Sequence, residues 1–508
     1  MQASARTLSA RERMLRQFPH GTCRASLRPW ILSGSLFLAF WISTLAASSP
    51  QDGAVPFLRF RDLTLGYTGP DYDMTNLTEI RIGWFGPTNA NDPLTGGAWW
   101  AANFAVQEAN EQRGKLKEHR PIHVVSNQTT GSNRVQSPMV SEDDSKEMNG
   151  GLGTSSAEDS FSKLPIRLVP RWAVDPWGTG VSQLTRMVYD EQPIALMGSV
   201  DSASTHLAEQ VVAKAQLPLV SPVVTDKSVT LAGVSWMFAC APADAVIARA
   251  VSKDILAALR ANPPASQTGR RGLAMLACTD HESRMITREV TRELSLQGRL
   301  PDFRLDLPPN SLNFSTALSA LEKVNPALLL IVAGPEDSAR LVCAIRSSAR
   351  GIQSSSKDRP GPEQTADSPP QMSGPVIYGC QAMARTRFLE LAGPAAEGVR
   401  FPLLVDSGVG GVNAVRFAER HVAERHREPD YTAQLTYDAT RLLIEAIRRA
   451  GPSRLRLREA LVQLSPWEGV LSRVQFDGTG QNTRTNIQMG AIRNGRVVSL
   501  GICHETMQ

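Results

Sequence analysis

Hydroxyl and carboxylate side chains follow two apolar runs at positions where they could bind a small acidic group. Asp201, Ser202 and Ser204 open a predicted helix after the run that ends at Gly198, and Thr225 follows the next run. A helix start offers free backbone N–H groups, which makes it a natural anion site. Ligands of open α/β sheets bind beyond the carboxyl ends of strands, so we expect these residues to line a site. Considered without further context, Ser202 fits a plain helix cap better.

Polar side chains also follow three apolar runs farther along the chain. They are Asp280, His281 and Glu282 after the first run, Glu336 and Asp337 after the second, and Gln381 after the third. Acidic residues at helix starts commonly cap the helix and compensate its dipole, a role that fits Glu336 and Asp337. His281 and Gln381 remain candidates for ligand contact. The sequence has no nucleophile elbow, HExxH motif or supported acid pair, so we expect no enzyme.

The cysteines give no sign of a metal centre. Beyond Cys23 they are Cys240, Cys278, Cys343, Cys380 and Cys503, without a CxxC motif or a histidine-rich neighbourhood. Structural metal sites usually show such spacing. Isolated cysteines more often serve as small buried apolar groups. We therefore expect no metal site and no cofactor.

The candidate residues need a framework, and short apolar runs alternating with helical patterns supply it. This alternation is typical of parallel strands joined by crossover helices, that is, of an α/β fold with doubly wound sheets. The first series predicts strands at 79–85, 165–169, 193–198 and 217–221, and helices at 98–112, 180–190 and 203–215. These four strands would form one sheet.

A second series restarts after Pro242 and predicts a second sheet, which implies a second lobe. Its strands are expected at 272–278, 302–307, 327–332 and 375–379, and its helices at 244–261, 284–297, 315–323 and 337–348. Residues 125–163 and 350–374 are rich in Ser, Pro, Gly and charge, and we interpret each as a solvated insertion. The clearest later helix is 431–450, which Gly451 and Pro452 end.

The amino terminus has the order of residues that is typical of an export signal. Arginines precede an uncharged apolar run from Ile31 to Ala47, which includes small residues at its end. We expect residues 1–47 to be a signal peptide cleaved near residues 46–48, and residues 48–78 to be an amino-terminal extension. The mature protein would then be periplasmic. A retained membrane anchor is the alternative, because the run is just long enough to span a bilayer.

The charge distribution argues against nucleic acid as a partner. Residues 1–47 hold six arginines and one glutamate, which account for the whole formal net charge of +5. The rest of the chain is near neutral, and only 6% of residues are aromatic. It therefore has no basic stripe with which to neutralise phosphates. Its length is too great for one core and is typical of two or three domains.

A series of short segments spans residues 79–500. They are Ile82-Gly83 with Gly86-Pro87, Ala105 to Asn110, Met197 to Ser199, Leu217 to Pro222, Phe238 to Asp244, Arg427 to Asp430, Tyr437 to Leu443, and Val474 to Gly480. In this order they resemble the type I periplasmic solute-binding proteins of branched-chain amino acid ABC importers, the leucine/isoleucine/valine-binding group. The order carries the resemblance, since no single segment is specific.

The resemblance implies two doubly wound parallel-sheet lobes joined by a three-segment hinge. We place the three crossings between lobes near residues 236–242, 398–405 and 469–474. The first lobe would comprise residues 79–238 and 405–470, and the second lobe residues 242–400 and 471–508. Binding of a solute would close such a hinge.

The resemblance also implies roles for the candidate residues. Ser202 and Thr225 correspond by position to residues that hold an amino acid carboxylate in family members, which favours ligand contact over the capping role of Ser202. Family members commonly place an aromatic side chain and an acid on the second lobe. This chain has His281 and Gln381 at roughly these places, which argues against a standard zwitterionic amino acid.

We therefore expect a monomer that closes on a small polar solute, namely an amino acid, an amide or a related carboxylate. It would deliver this solute to the membrane permease of an ABC importer. The alternative is the ligand-sensing subunit of a signalling system with a membrane sensor as partner. A sensor usually has a membrane helix after the domain, which this sequence lacks, although a separate membrane protein could supply it.

Overall fold

The computed structural model describes residues 77–118, 161, 163–231, 233–261, 272–355, 374–405 and 411–501. The predicted signal peptide, nearly all of the predicted amino-terminal extension and most of both predicted insertions lie outside these ranges, as do Cys23 and Cys503. Within these ranges, no helix is both long and apolar enough to cross a membrane.

The first part of the described chain alternates strands with helices, as predicted. Its strands are β1 (Ile80–Phe85), β2 (Ile166–Arg171), β3 (Ala195–Gly198), β4 (Leu219–Ser221) and β5 (Met237–Pro242). Its helices are α1 (Gly96–Glu118), α2 (Val181–Arg186), α3 (Ser202–Ala215), α4 (Ser228–Leu231) and α5 (Asp244–Ala261). Two π-helical turns, Pro176–Gly180 and Met187–Glu191, flank α2. Helix α1 runs past residue 112, its predicted end, and through Gly114, because a glycine inside a helix costs only about 1 kcal/mol relative to alanine.

The middle part continues the alternation. Its strands are β6 (Leu273–Cys278), β7 (Phe303–Leu307), β8 (Leu328–Val332), β9 (Val376–Gly379) and β10 (Arg400–Leu403). Its helices are α6 (His281–Leu296), α7 (Ser315–Val324), α8 (Pro335–Ser355) and α9 (Thr386–Ala392), with 3₁₀ turns at Gln381–Ala384 and Gly393–Ala396. Helix α6 begins at His281 and not at residue 284, because the Asp280 carboxylate caps it by accepting from the Ser283 N–H at 2.9 Å.

The last part contains helices first and short strands afterwards. The helices are α10 (Gly411–Arg425), α11 (Tyr431–Ala450) and α12 (Arg454–Gln463). The strands are β11 (Trp467–Glu468), β12 (Arg473–Val474), β13 (Gln481–Asn482), β14 (Gln488–Arg493) and β15 (Arg496–Ser499). Helix α11 has the predicted bounds, and its apolar face packs on the first sheet.

Two sheets form the centres of the two lobes. The first sheet has the order β13-β5-β4-β3-β1-β2 with parallel neighbours. The second has the order β15-β14-β10-β9-β8-β6-β7, in which β6 to β10 are parallel and β14 and β15 are antiparallel. Each sheet carries helices and its own apolar core, so the predicted α/β class is confirmed.

Two of the predicted linkers between the lobes are strands of the sheets. Residues 236–242 and 398–405 contain β5 and β10, of which β5 is buried at every position. The first sheet therefore has six strands, not the predicted four. Cys240 and Cys278 are buried in the cores, in line with their interpretation as small apolar groups.

The last crossing between sheets lies later than the predicted segment 469–474. Strand β13 pairs with β5 of the first sheet, so the chain returns to the second sheet only after Asn482. The physical reason lies in Asp438 of α11, which is buried. Its carboxylate accepts from the backbone N–H groups of Val470, Leu471 and Ser472 at 2.9, 2.8 and 2.7 Å, which holds this segment on the first lobe.

Candidate functional site

The start of α3 positions the first group of predicted site residues. Asp201, and not Ser202, caps the helix: its carboxylate accepts from the Ser204 N–H at 2.8 Å and from the Ser204 hydroxyl at 2.9 Å. Ser202 is therefore the first helical residue, and its own N–H is free of the helix ladder. The capping role that the sequence offered for Ser202 is thus wrong, because Asp201 performs it.

The turn before this helix depends on Gly198, the last residue of β3. Its φ of +129° lies in a region that residues with a side chain rarely adopt. A Cβ atom at this position would lie 2.5 Å from the carbonyl oxygen of Phe85 on the neighbouring strand. Glycine is therefore required for the chain to leave β3 toward α3.

A carboxylate from the second lobe already lies at this helix start. The Ser202 N–H donates to Glu282 Oε1 at 3.2 Å, although the two residues belong to different lobes. The side chain of Glu282 is exposed in the cleft, while Ser202 is buried. Although part of the side chain reaches solvent, desolvation of the carboxylate where it meets the start of α3 and the negative charge of Asp201 raise the pKa of Glu282 above its ordinary value of 4.5. The backbone donor at the start of α3 is thus occupied by a carboxylate of the protein itself, whose pKa is raised.

Thr225, after β4, contacts the second lobe through Gln381. Gln381 Nε2 donates to Thr225 Oγ1 at 3.4 Å. On the other side, the Thr225 carbonyl accepts from the Asp244 N–H at 2.8 Å, and its side chain hydrogen-bonds the Asp244 carboxyl. Burial raises the pKa of Asp244 to about 7. Asp244 Oδ1 and Gln381 Oε1 are buried acceptors with no hydrogen-bond partner among the described residues.

Next to Thr225, two histidines flank Asp226. His281 Nε2 lies 3.0 Å and His206 Nε2 lies 3.5 Å from Asp226 Oδ2. His206 belongs to α3 and His281 to α6, so this group also spans the lobes. Hydrogen bonds with Asp226 and with Glu209 raise the pKa of His206 to about 9. Burial opposes the ionisation of Asp226, but hydrogen bonds from His206 and Ser228 outweigh it and hold the pKa of Asp226 well below its usual range.

Arg385 supplies a further contact across the lobes. It follows the 3₁₀ turn after β9, donates to Asp430 Oδ2 at 2.7 Å and to the Leu94 carbonyl, and lies over the Tyr431 ring. Burial raises the pKa of Asp430, but the charge and hydrogen bond of Arg385 outweigh it, so that this pKa is below 3.8. The ion pair is largely buried, with 13% and 10% of the two side chains exposed.

The structure brings the predicted residues to facing sides of one cleft. Asp201, Ser202, Ser204 and Thr225 lie on the first lobe, and His281 and Gln381 lie on the second. Their assignment to ligand binding stays a prediction.

Five polar residues beside them were not among the predicted site residues: Glu282, His206, Asp226, Asp244 and Arg385. Glu282 and Asp226 could have been found, because each directly follows a predicted site residue.

A cavity of about 220 Å³ lies on the hinge side, next to the contact of Arg385 with Asp430 and Tyr431. Leu403, Leu404 and Val405 line it together with the start of α11 and the end of β15.

Comparison with known proteins gives matches in structure only. No family model and no curated protein sequence matches the chain. Three solved structures that resemble it have a TM-score of 0.59 and match 83% of this chain. The leucine-binding protein LivK of Thermotoga maritima is 16% identical and is covered over 98% of its length. The substrate-binding protein LivJ of Streptococcus pneumoniae, in complex with isoleucine, is 17% identical and is covered over 99%.

The third structure is a solute-binding protein of an ABC transporter from R. palustris in complex with benzoate, 14% identical and covered over 96% of its length. At these identities the likeness establishes the fold. The chain has the two-lobed fold of type I periplasmic binding proteins, as the sequence resemblance implied.

Proposed function

We propose that the protein is an extracytoplasmic solute-binding protein. It closes a hinged cleft on a small polar solute, an amino acid, an amide or a related carboxylate, and delivers the solute to the membrane permease of an ABC importer. The reaction is binding and release without catalysis. The export signal on which the extracytoplasmic location rests is the predicted segment 1–47.

The observation that carries the proposal is the hydrogen bond between the Ser202 N–H and Glu282. A backbone donor at a helix start on one lobe binds a carboxylate on the other lobe. In this proposal Glu282 stands in for the acidic group of the solute. Because its side chain is exposed and its pKa is raised, a more acidic solute carboxylate displaces it.

The surroundings of Thr225 support a second chemical feature of the solute. The two unpartnered acceptors, Asp244 Oδ1 and Gln381 Oε1, belong to the residues that contact Thr225 on either side. Buried acceptors are usually satisfied, so a solute N–H group is the natural donor for them. An acidic group at Ser202 and an N–H group near Thr225 describe an amino acid or an amide-bearing acid.

A solute screen with a structural readout tests this proposal. The purified protein is titrated by calorimetry with L-leucine, L-isoleucine, benzoate, and amino acids and amides of similar size. Small-angle scattering then measures the radius of gyration with and without each tight ligand. Binding should compact the protein at constant mass, because hinge closure brings the lobes together. Tight binding without compaction would contradict the hinged mechanism.

A further inference from the structure

We propose that His206, Asp226 and His281 form a site for a divalent transition-metal ion, Zn²⁺ in the first place, which links the two lobes. The site adjoins the predicted solute position, with which it shares His281, and it goes beyond the proposed function. Two imidazoles and one carboxylate form a donor set that suits zinc, with a fourth position for water.

The distances between the donor atoms fit one ion. Tetrahedral zinc with bonds of about 2.0–2.1 Å separates neighbouring ligand atoms by roughly 3.3 Å. Asp226 Oδ2 lies 3.0 Å from His281 Nε2 and 3.5 Å from His206 Nε2. One donor atom from each of the three residues can be chosen so that all lie within 4.8 Å of one another. Small side-chain rotations therefore suffice to place all three around an ion.

The groups behind the donors orient them as in known metal sites. His206 Nδ1 lies 3.3 Å from Glu209 Oε2, and Glu209 is buried. A carboxylate behind a ligating histidine fixes the ring and makes its other nitrogen a better ligand. Ser228 donates its N–H and its hydroxyl to Asp226 Oδ1 at 2.8 and 2.7 Å. This leaves Oδ2, on the side of the two imidazoles, for the metal.

The site is accessible to an ion from solvent. The side chains of His206 and His281 are 25% and 38% exposed, whereas that of Asp226 is 2% exposed. A buried carboxylate under two partly exposed imidazoles gives an ion a path to its ligands. Metal binding would replace the contacts of His281 Nε2 and His206 Nε2 with Asp226 Oδ2 and the hydrogen bond of His206 Nε2 with Ser228 Oγ at 3.0 Å, and it would release the protons from these ring nitrogens.

The position of the site gives the metal a role in closure. His206 and Asp226 belong to the first lobe and His281 to the second, so one ion with all three ligands requires a closed cleft. Asp226 directly follows Thr225, and His281 directly precedes Glu282. Metal binding would therefore stabilise the closed form beside the solute position. The spacing of the cysteines predicts no metal site, whereas these three donors are two histidines and an aspartate that come together only in the folded chain.

Calorimetric titration of the metal-free chain with zinc chloride, in buffer freed of metals, tests the site without any solute. The wild type should bind one zinc ion per chain tightly, and any further zinc ions more weakly. His281→Ala and Asp226→Asn should each weaken this step by more than about a hundredfold, and Glu209→Gln by about ten- to a hundredfold. Small-angle scattering should show that zinc compacts the wild type but not His281→Ala.

His426→Asn is the matched control, because His426 is an exposed histidine outside the group and its φ of 56° suits asparagine. Its zinc affinity should equal that of the wild type. Circular dichroism without metal checks that each variant is folded. If Asp226→Asn unfolds, His281→Ala still tests the site, because the His281 side chain is partly exposed. Absence of tight zinc binding by the wild type, or equal affinity of His281→Ala and the wild type, would overturn the proposal.

Discussion

Replacing Glu282 by alanine should make the protein bind a carboxylate solute more tightly. In the unliganded protein, Glu282 Oε1 accepts from the Ser202 N–H at 3.2 Å, which is the donor that the solute is proposed to use. A solute must therefore break an internal hydrogen bond before it can form its own. Glu282→Ala removes this competitor and leaves the backbone donor in place.

The size of the effect follows from the kind of bond that is lost. A hydrogen bond to a charged group contributes about 1.5–3 kcal/mol. The exposed side chain of Glu282 places the value at the lower end, because water competes for it. About 1.5 kcal/mol corresponds to a dissociation constant roughly tenfold lower in the variant. Thermal melts should change little, because the lost bond joins two lobes that each have their own apolar core.

Calorimetric titration of wild type and variant with the tightest carboxylate ligand of the screen measures this. Glu322→Ala serves as the control, because Glu322 is an exposed acid of the same lobe that contacts Ser348. Its affinity should match the wild type. A tenfold or greater loss of affinity in Glu282→Ala would refute the reasoning, since it would mean that Glu282 itself binds a cationic group of the solute.

Three further outcomes are expected. Ser202→Ala and Thr225→Ala should each weaken solute binding about ten- to a hundredfold in calorimetry, because each loses a hydroxyl that we expect to bind the acidic group together with the neighbouring backbone N–H donors. Thermal melts of Ser202→Ala should change little, since Asp201 and not Ser202 caps the helix. Unchanged affinity in both variants would remove these residues from the site. Asp430→Asn should reduce the loss of the free energy of unfolding at acid pH. The Arg385 ion pair lowers the pKa of Asp430 in the folded chain, so its stabilisation is present above pH 3.8 and is lost as pH falls through the lower folded pKa. An unchanged pH dependence of the free energy of unfolding below pH 3.8 would contradict this. Asp438→Ala should lower the free energy of unfolding by about 3 kcal/mol or more, because three buried N–H donors lose their acceptor. Urea denaturation measures this change, and a loss below about 1 kcal/mol would contradict the role given to Asp438.

Most of the order of strands and helices could be predicted from the sequence, because short apolar runs alternate with longer helical patterns. Helix α11 illustrates this, since its apolar face recurs at helical spacing and Gly451 ends it. The number of strands per sheet was predicted less well. Strand β5 coincides with a predicted linker because it lies where the chain changes lobes, and β13 is too short to predict because it has only two residues.

The site could be predicted as far as the neighbourhood of the strand ends. The fold brings the carboxyl ends of parallel strands together, which placed Ser202 and Thr225 on one wall of the cleft. Which second-lobe side chain meets Ser202 depends on where α6 begins and on how the lobes close. Neither is encoded in a local pattern, so the sequence predicts contact by His281 and does not distinguish its neighbour Glu282.

The group of His206, Asp226 and His281 could not be predicted from spacing. Its members come from α3, the loop after β4 and the first turn of α6. Motif reasoning detects metal ligands that lie a few residues apart in sequence, whereas these residues are brought together by tertiary contacts between lobes. Only the three-dimensional arrangement shows that they share one point in space.

The most direct test of the proposed function is a crystal structure of the protein with its tightest solute. We expect the acidic group of the solute within hydrogen-bond distance of the Ser202 N–H and the Thr225 hydroxyl, with Glu282 displaced from Ser202. A solute bound instead in the hinge-side cavity next to Leu403 and Tyr431, with Glu282 still on Ser202, would contradict it.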